Sequence, residues 1–557
     1  MMNKSRYFII AFSFFAWLAC NRVSNTNEEV KADKKPNILI AISDDMSWVD
    51  MSFMGNEAVS TPNIDALAKE GMVFENAYCS TPSCTASRAA FLTGRNGFEL
   101  EQGAVLWGYL PDKFKTYTDY LEEAGYKVGF TGKGWAPGKL HATNRKHNPA
   151  GEEFNDSKFL PFVELGNEGS ICDIDYIANF KTFLKGKKQD QPFCFWYGSK
   201  EPHRGYVRGI GEKAGMQTSK VKLPDFYPQD EGMRLDVLDY LFEIQWFDTQ
   251  IGKIVNHLKE IGEYDNTLII VTADNGMPFP RAKSNLYEAG THMPFIAVWK
   301  NKIIPGKSIS DLISQIDVAP TVMQAAGLEI PKEMTGKTLM PYFEKATNQV
   351  AAKNRSIITY RERHAWSYAD GKTYPSRAIR KGDMLLIWNM EPQRLPAGIE
   401  DGSVAFNNYA FGDVDNGLSK DILMSYKNRE GQSHFFDLSF GLRSEYELYN
   451  VKEDPFQLKN LAAEAAFQEQ FQNLNNELVN YLKSHNDMRV LGKEEVYINT
   501  PYYSTKGIES GGIDPNAFEK LSAEEQQKLQ DAERQKLKKN KHKIDSLFGM
   551  GASYWGI

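Results

Sequence analysis

Two pairs of oxygen-bearing side chains, Asp44-Asp45 and Asp274-Asn275, each directly follow an apolar run of strand length: Pro36 to Ser43 (PNILIAIS) and Thr267 to Ala273 (TLIIVTA). Four such donors at the ends of two strands suit a hard cation, calcium first and magnesium also. One aspartate after a strand is more often a turn or helix N-cap residue than a ligand, but two pairs placed alike make four coincidental caps a poor explanation. Without a cation, these carboxylates would repel one another and any anionic substrate. Between the pairs lies Cys84-Thr85-Ala86-Ser87-Arg88, followed by Leu92-Thr93-Gly94-Arg95. Three further polar positions stand along the same stretch. They are Lys133 between two glycines, the Pro202-His203-Arg204 triplet, and Lys283, eight residues beyond Asn275.

Runs that are apolar on both faces suit central parallel strands covered by helices. Helical patterns at Pro62 to Gly71, Thr116 to Gly125 and Leu235 to Ile261 alternate with strand-like segments, including Val128 to Thr131 and Phe193 to Tyr197. This alternation predicts a doubly wound α/β domain over 36–350, with ligands beyond the carboxyl ends of its strands. Beyond 350 the pattern changes to short strands at Ser356 to Tyr360, Ser376 to Ile379, Met384 to Trp388 and Glu447 to Tyr449, with a helix from about Pro455 to Ser484. A smaller α+β subdomain is expected over 351–500. A helical tail is expected over 501–557, where Ala523 to Lys543 is rich in Glu, Gln and Lys.

With 557 residues, 42% hydrophobic and 25% charged, the chain has a globular composition, which excludes collagen-like, disordered and multi-span membrane classes. A net charge of −7 argues against a nucleic-acid partner and requires any polyanion site to gather its cations locally. Five cysteines are too few for a disulfide scaffold. At the N-terminus, Lys4 and Arg6 precede an apolar run from Phe8 to Ala19, shorter than the roughly 20 residues that span a bilayer. An export signal over 1–20 is expected. Its boundary, Trp17-Leu18-Ala19-Cys20-Asn21, resembles the lipobox of bacterial lipoproteins, with ordinary cleavage as the alternative. The polar segment 21–35 reads as a tether. The expected location is the periplasm or the outer-membrane or cell surface, with membrane contact only through an N-terminal lipid.

The form Cys84-x-Ala86-x-Arg88 with Leu92-Thr93-Gly94 resembles the signature of type I sulfatases, in the alkaline phosphatase superfamily. The resemblance implies that fold: a large mixed sheet flanked by helices plus a smaller C-terminal domain with a short antiparallel sheet. It implies oxidation of Cys84 to formylglycine by a dedicated maturase, and a Ca2+ held by Asp44, Asp45, Cys84, Asp274 and Asn275. A hydrated aldehyde has a second hydroxyl whose deprotonation expels a captured sulfate, which a serine cannot do. The signature's cysteine would start a helix, where backbone N–H groups favour an anion. Cys79 lacks the signature context, though a Cys79–Cys84 disulfide is an alternative in an oxidising compartment.

The same resemblance implies that Arg88, Lys133 and Lys283 serve the sulfate site and that His203 is the general acid. Lys283 begins a segment similar to the family's Lys-x4-Glu-Gly-Gly, with Ala289 replacing the first glycine. Many relatives carry a histidine where this chain has Trp135. Asp274 to Pro280, Asn285-Leu286-Tyr287, Arg361 to His364, Tyr374 to Arg380 and Glu391 to Gly398 resemble the N-sulfoglucosamine sulfohydrolase group and its bacterial polysaccharide-sulfatase relatives. Arg204, Arg363 and His364 are then implied at the sugar, with internal ion pairing as the alternative for the last two. Trp107, Trp135, Tyr502 and Tyr503 are either sugar-stacking or core. The implied reaction is hydrolysis of a sulfate ester or sulfamate on a carbohydrate, of ulvan or heparan type. Two other readings carry different expectations: a phosphatase, phosphodiesterase or phosphonate hydrolase of the same superfamily, and a glycan-binding lipoprotein without activity.

Overall fold

The two apolar runs that end in acidic pairs are neighbouring strands. Asn37–Ser43 and Thr267–Ala273 pair in parallel over their whole length, with Asn37 opposite Thr267 and Ser43 opposite Ala273. Every residue of both is buried, so neither shows the polar alternation of a half-exposed strand. The structure is a computed structural model that describes residues 34–159, 171–344, 355–368, 373–402, 405 and 409–503. The signal segment, nearly all of the tether and the tail beyond residue 503, including the expected helix over Ala523 to Lys543, lie outside the described residues. No described helix is long and apolar enough to cross a membrane.

The described part of the large sheet contains β1 (Asn37–Ser43), β2 (Met72–Tyr78), β3 (Lys127–Gly132), β4 (Glu152–Glu153), β5 (Phe193–Gly198), β6 (Thr267–Ala273), β7 (His292–Met293), β8 (Phe295–Val298) and β9 (Lys307–Ser314). Their spatial order is β4-β3-β5-β1-β6-β8-β2-β7, with β9 beside β2. Strands β3, β5, β1 and β6 are mutually parallel, and β8 runs against its neighbours β6 and β2. Alternate residues feed two apolar layers. Leu39, Ala41, Phe195, Tyr197, Ile269 and Val271 pack with Leu241, Ile244 and Phe247 of the helix Glu231–Glu260. Ile38, Ile40, Ile42, Trp196, Leu268 and Ile270 pack on the other face with Phe91 and Leu92. The long helix starts four residues earlier than its apolar pattern, because the Asp230 carboxylate caps the N–H groups of Gly232 and Met233.

A second sheet follows, antiparallel in the order β10 (Ser356–Arg361), β11 (Ser376–Lys381), β12 (Met384–Asn389), β13 (Tyr446–Asn450). Ile358, Ile379, Leu386 and Leu448 pack on Leu474, Leu478 and Leu482 of the helix Gln468–Ser484, and also on Ala86, Phe98 and Val105. The small sheet therefore sits against the helix that Cys84 begins. The expected helix from Pro455 begins only at Gln468. The Asp454 carboxylate takes the N–H groups of Leu458 and Lys459, and the Asn460 side chain bonds to Leu448 N and Tyr446 O. Those residues fasten β13 instead of winding.

Candidate active site

The carboxyl ends of β3, β5, β1 and β6 open onto one rim, and each is followed by a polar group: Lys133, His203, Asp44-Asp45 and Asp274-Asn275 respectively. The two pairs interlock. Asp45 N and Asn275 N both donate to Asp274 Oδ1, at 3.0 and 2.8 Å, and Asn275 Nδ2 donates to Asp45 Oδ1 at 2.6 Å. Asp45 has φ of 69°, a left-handed turn that Asp accepts more readily than bulkier residues. Cys84 starts the helix Cys84–Thr93, with Sγ 3.4 Å from Asp44 Oδ1 and 3.7 Å from Asp45 Oδ1. One turn on, Arg88 donates from Nε to Asp274 Oδ2 at 2.8 Å and from Nη1 to the carbonyls of Lys133 and Gly134.

Three nitrogen-bearing side chains surround this core. Lys133 Nζ donates to Asp44 Oδ2 at 2.6 Å, and Lys283 Nζ donates to Asp45 Oδ2 at 2.6 Å. His203 Nε2 stands 3.8 Å from Asp45 Oδ2, while its Nδ1–H is given to the Arg204 carbonyl at 2.6 Å. Any proton that His203 passes outward is therefore on Nε2. Burial pushes the Asp44 carboxyl up, but Lys133, His203, Arg88 and Lys283 outweigh it and hold the group well below the usual range. Asp274 is pushed up to about 6 by burial, against the pull of Arg88. Burial also raises the Cys84 thiol well above its ordinary value.

Carboxylate oxygens of Asp44, Asp45 and Asp274 and the Cys84 sulfur all lie within 4.8 Å of one another. Asn275 Oδ1 is buried and has no hydrogen-bond partner. An acceptor left in that state costs about 1–3 kcal/mol, and a hard cation among these oxygens would supply what it lacks. The residues present fit such an ion.

A family model described as Sulfatase matches residues 36–328, more than half of the chain, and one described as N-sulphoglucosamine sulphohydrolase, C-terminal, matches residues 281–387. The chain belongs to the sulfatase family. It is thus a sulfuric ester hydrolase. This sulfatase is similar to an ulvan-active sulfatase of Formosa agariphila, 27% identical over 91% of this chain and 93% of that protein. It is also similar to human N-sulphoglucosamine sulphohydrolase, at 24% over 80% and 89%. Its fold matches a solved structure in complex with its substrate D-glucosamine-2-N,6-O-disulfate, with a TM-score of 0.57 at 21% identity, covering 82% of this chain and 99% of that one.

Other residues implied by the resemblance lie where their partners are internal. Arg204 is spent in a buried bidentate pair with Asp236, at 3.0 and 2.6 Å, and on the Pro278 carbonyl. Those contacts, with the side chain only 4% exposed, favour a positioning role. Arg363 is buried as well and donates to the carbonyls of Thr500 and Pro501, so it holds the chain after residue 499. Its guanidinium is lowered to about 10 by burial, and the partners are carbonyls where ion pairing was the alternative. His364 lies nearer the site, with Nδ1 2.9 Å from Ser83 Oγ beside Cys84, and burial lowers it to about 4, so it is neutral. Trp135 is core: its N and O are both held by the Asn148 side chain and its ring is buried. Tyr502 is buried against Trp366 and Trp107. Cys79 and Cys84 are both free thiols, so the disulfide alternative falls.

One site residue has no counterpart in the sequence reading. Asp415 Oδ2 accepts from Lys283 Nζ at 2.9 Å and lies within 4.8 Å of the facing atoms of Asp45 and His203. Burial pushes this carboxyl up, yet Lys283 and then His203 hold it well below the usual range. Its only signal in the chain is an acidic turn, Asp413-Val414-Asp415-Asn416-Gly417, with no apolar strand before it.

Proposed function

We propose that this sulfatase removes sulfate from a sulfated polysaccharide or its oligosaccharides, of the ulvan or glycosaminoglycan kind, through formylglycine made from Cys84 and a bound Ca2+. The placement of Cys84 carries this reading. It is the first residue of a helix, and its sulfur touches two of the three carboxylates that converge with it within 4.8 Å. The names of the relatives support the substrate class. A formylglycine-generating maturase is the partner such a site requires. The basic-apolar start and the lipobox-like boundary support export and a lipid anchor at Cys20.

Asp44, Asp45, Asp274 and Asn275 would hold Ca2+, which would offset the carboxylates and supply a positive contact for a sulfate oxygen, and formylglycine at position 84 would supply the paired hydroxyl. Lys133 and Lys283, on opposite flanks through Asp44 and Asp45, each keep N–H donors for the remaining sulfate oxygens. His203, the most open of these side chains at 35% exposure, passes its Nε2 proton to the departing sugar oxygen. Arg88 keeps Asp274 and the 133–134 backbone in place from full burial. A two-metal phosphoryl-transfer site is disfavoured, because the Lys283 ammonium already occupies the contact between Asp45 and Asp415 that a second cation would need.

Co-expression with a maturase should give an intact protein about 18 Da lighter, the change from thiol to aldehyde. Prolonged treatment with a strong chelator should abolish desulfation of ulvan- or heparan-derived oligosaccharides, and Ca2+ should restore it better than Zn2+. Full activity with an unmodified Cys84 would defeat the proposal.

A further inference from the structure

The turn 411–420 is fastened by buried charge on three sides. Lys420 is buried and donates from Nζ to the carbonyls of Phe411 and Val414 and to Asn416 Oδ1, at 3.1, 2.9 and 2.8 Å. Asp413 pairs with Arg361 at 2.7 Å and accepts from Ala365 N at 2.7 Å. Asp236, itself gripped by Arg204, receives Ser419 N and Oγ at 2.9 and 2.6 Å. Gly417 lies so close that a Cβ there would meet Arg204 Nη1 at 2.1 Å. Taking ions out of water costs several kcal/mol apiece before pairing repays it. A free connection would not need that outlay; a turn that must present one group at a fixed place would.

The group presented is Asp415. The exposure of the site shows what it faces. Arg88, Asp44, Asp45 and Asp274 are sealed, whereas 35% of the His203 side chain and 23% of the Asp415 side chain remain open. His203 and Asp415 are thus the groups of this cluster most open to a sugar. The Lys283 ammonium has three donors, and Asp45 and Asp415 take two, so a sulfate oxygen can use the third without displacing Asp415. An ionised carboxylate only accepts hydrogen bonds.

Building on the glycan-sulfatase reading, we infer that Asp415 is a specificity-determining residue. It accepts a hydrogen bond from a hydroxyl or ammonium group on the carbon next to the sulfated one. It also repels substrates that carry a second sulfate or a carboxylate there.

The test compares wild type with Asp415→Asn and Asp415→Ala on two probes: the ulvan- or heparan-derived oligosaccharide that wild type desulfates fastest, and inorganic sulfate as a competitive inhibitor. Removing a charged acceptor should lower kcat/KM on the oligosaccharide by about 10- to 100-fold, mainly through KM. Inorganic sulfate should bind as well or a few-fold tighter, because a neighbouring negative charge is gone. The rate on a vicinally disulfated sugar should rise relative to its monosulfated counterpart. A parallel loss on both probes would mean that Asp415 merely props Lys283, and unchanged kcat/KM would mean that it touches no sugar; either result overturns the inference. If wild type desulfates no member of either oligosaccharide set, the glycan-sulfatase reading fails first.

Discussion

Asp44, Lys133 and Asp274 each directly follow the end of a buried parallel strand, whereas Asp415 stands in a turn that no strand introduces. The first three are placed by the sheet: once β3, β5, β1 and β6 pair in register, their carboxyl ends must meet. Asp415 is placed by side chains far away in the chain. The Arg361–Asp413, Asp236–Ser419 and Lys283–Asp415 contacts span 52, 183 and 132 positions. On the proposed assignment, the sulfate side of the cleft is a consequence of topology, and the sugar side is fixed by individual buried ion pairs and hydrogen bonds. Chemistry common to a family is well served by the first arrangement, since a strand end tolerates change elsewhere. Substrate choice is better served by the second, since moving one pair moves the turn.

If that division is right, Cys84→Ala should give the largest effect and leave the sugar side untouched. Activity should fall by at least about a thousandfold, the order expected for loss of a covalent nucleophile. Binding of a sulfated oligosaccharide, measured by calorimetry on the metal-loaded variant, should stay within about threefold of wild type. A variant that loses binding together with turnover would show that the two sides are not separable.

The sequence announces the proposed sulfate side because its signals are local: an apolar run ending in an acidic pair, twice, and one cysteine four residues ahead of an arginine in a helix-starting pattern. The sugar side has no such mark. Arg204 stands beside His203 and shares its implied proximity to substrate, but the side chain turns the other way, into Asp236 on the long helix. Arg363 and His364 are adjacent, and only His364 reaches the site. Neighbours in sequence part company because backbone direction in a loop is set by partners that no local pattern reveals. The same holds for the stretch after Pro455, whose apolar spacing suits a helix while Asp454 and Asn460 commit its backbone to β13.

Arg204→Ala tests the positioning role with an effect of intermediate size. Removing one partner of a buried pair leaves Asp236 charged and unpaired, at a cost of about 3–5 kcal/mol. The melting temperature should drop by several degrees, and kcat/KM on the oligosaccharide should fall about tenfold as the 411–420 turn loosens. Arg204→Lys should recover part of both. An Arg204→Ala enzyme that melts like wild type yet binds sugar poorly would return this arginine to direct substrate contact.

The smallest effect lies in Lys420, which burial lowers to about 8 although Asp415, Asp421 and Asp413 act to raise it. A free lysine titrates at about 10.4. Below pH 8 both the folded and the unfolded chain carry the proton, and the cost of burying the charge is constant. Between pH 8 and 10 the unfolded chain keeps its proton while the folded one gives it up, so stability from this group rises with pH. Nearly two pH units at 1.36 kcal/mol each set an upper bound of about 2.7 kcal/mol, or about 2 °C in melting temperature for a unit of this size. The measurement is the melting temperature of wild type minus that of Lys420→Met, taken at pH 7, 8, 9 and 10. A difference that grows by a degree or two above pH 8 is expected, because methionine has no proton to lose. A flat difference would show that the carbonyls of Phe411 and Val414 hold the ammonium fully charged, and that the turn rests on Lys420 more firmly than its burial implies.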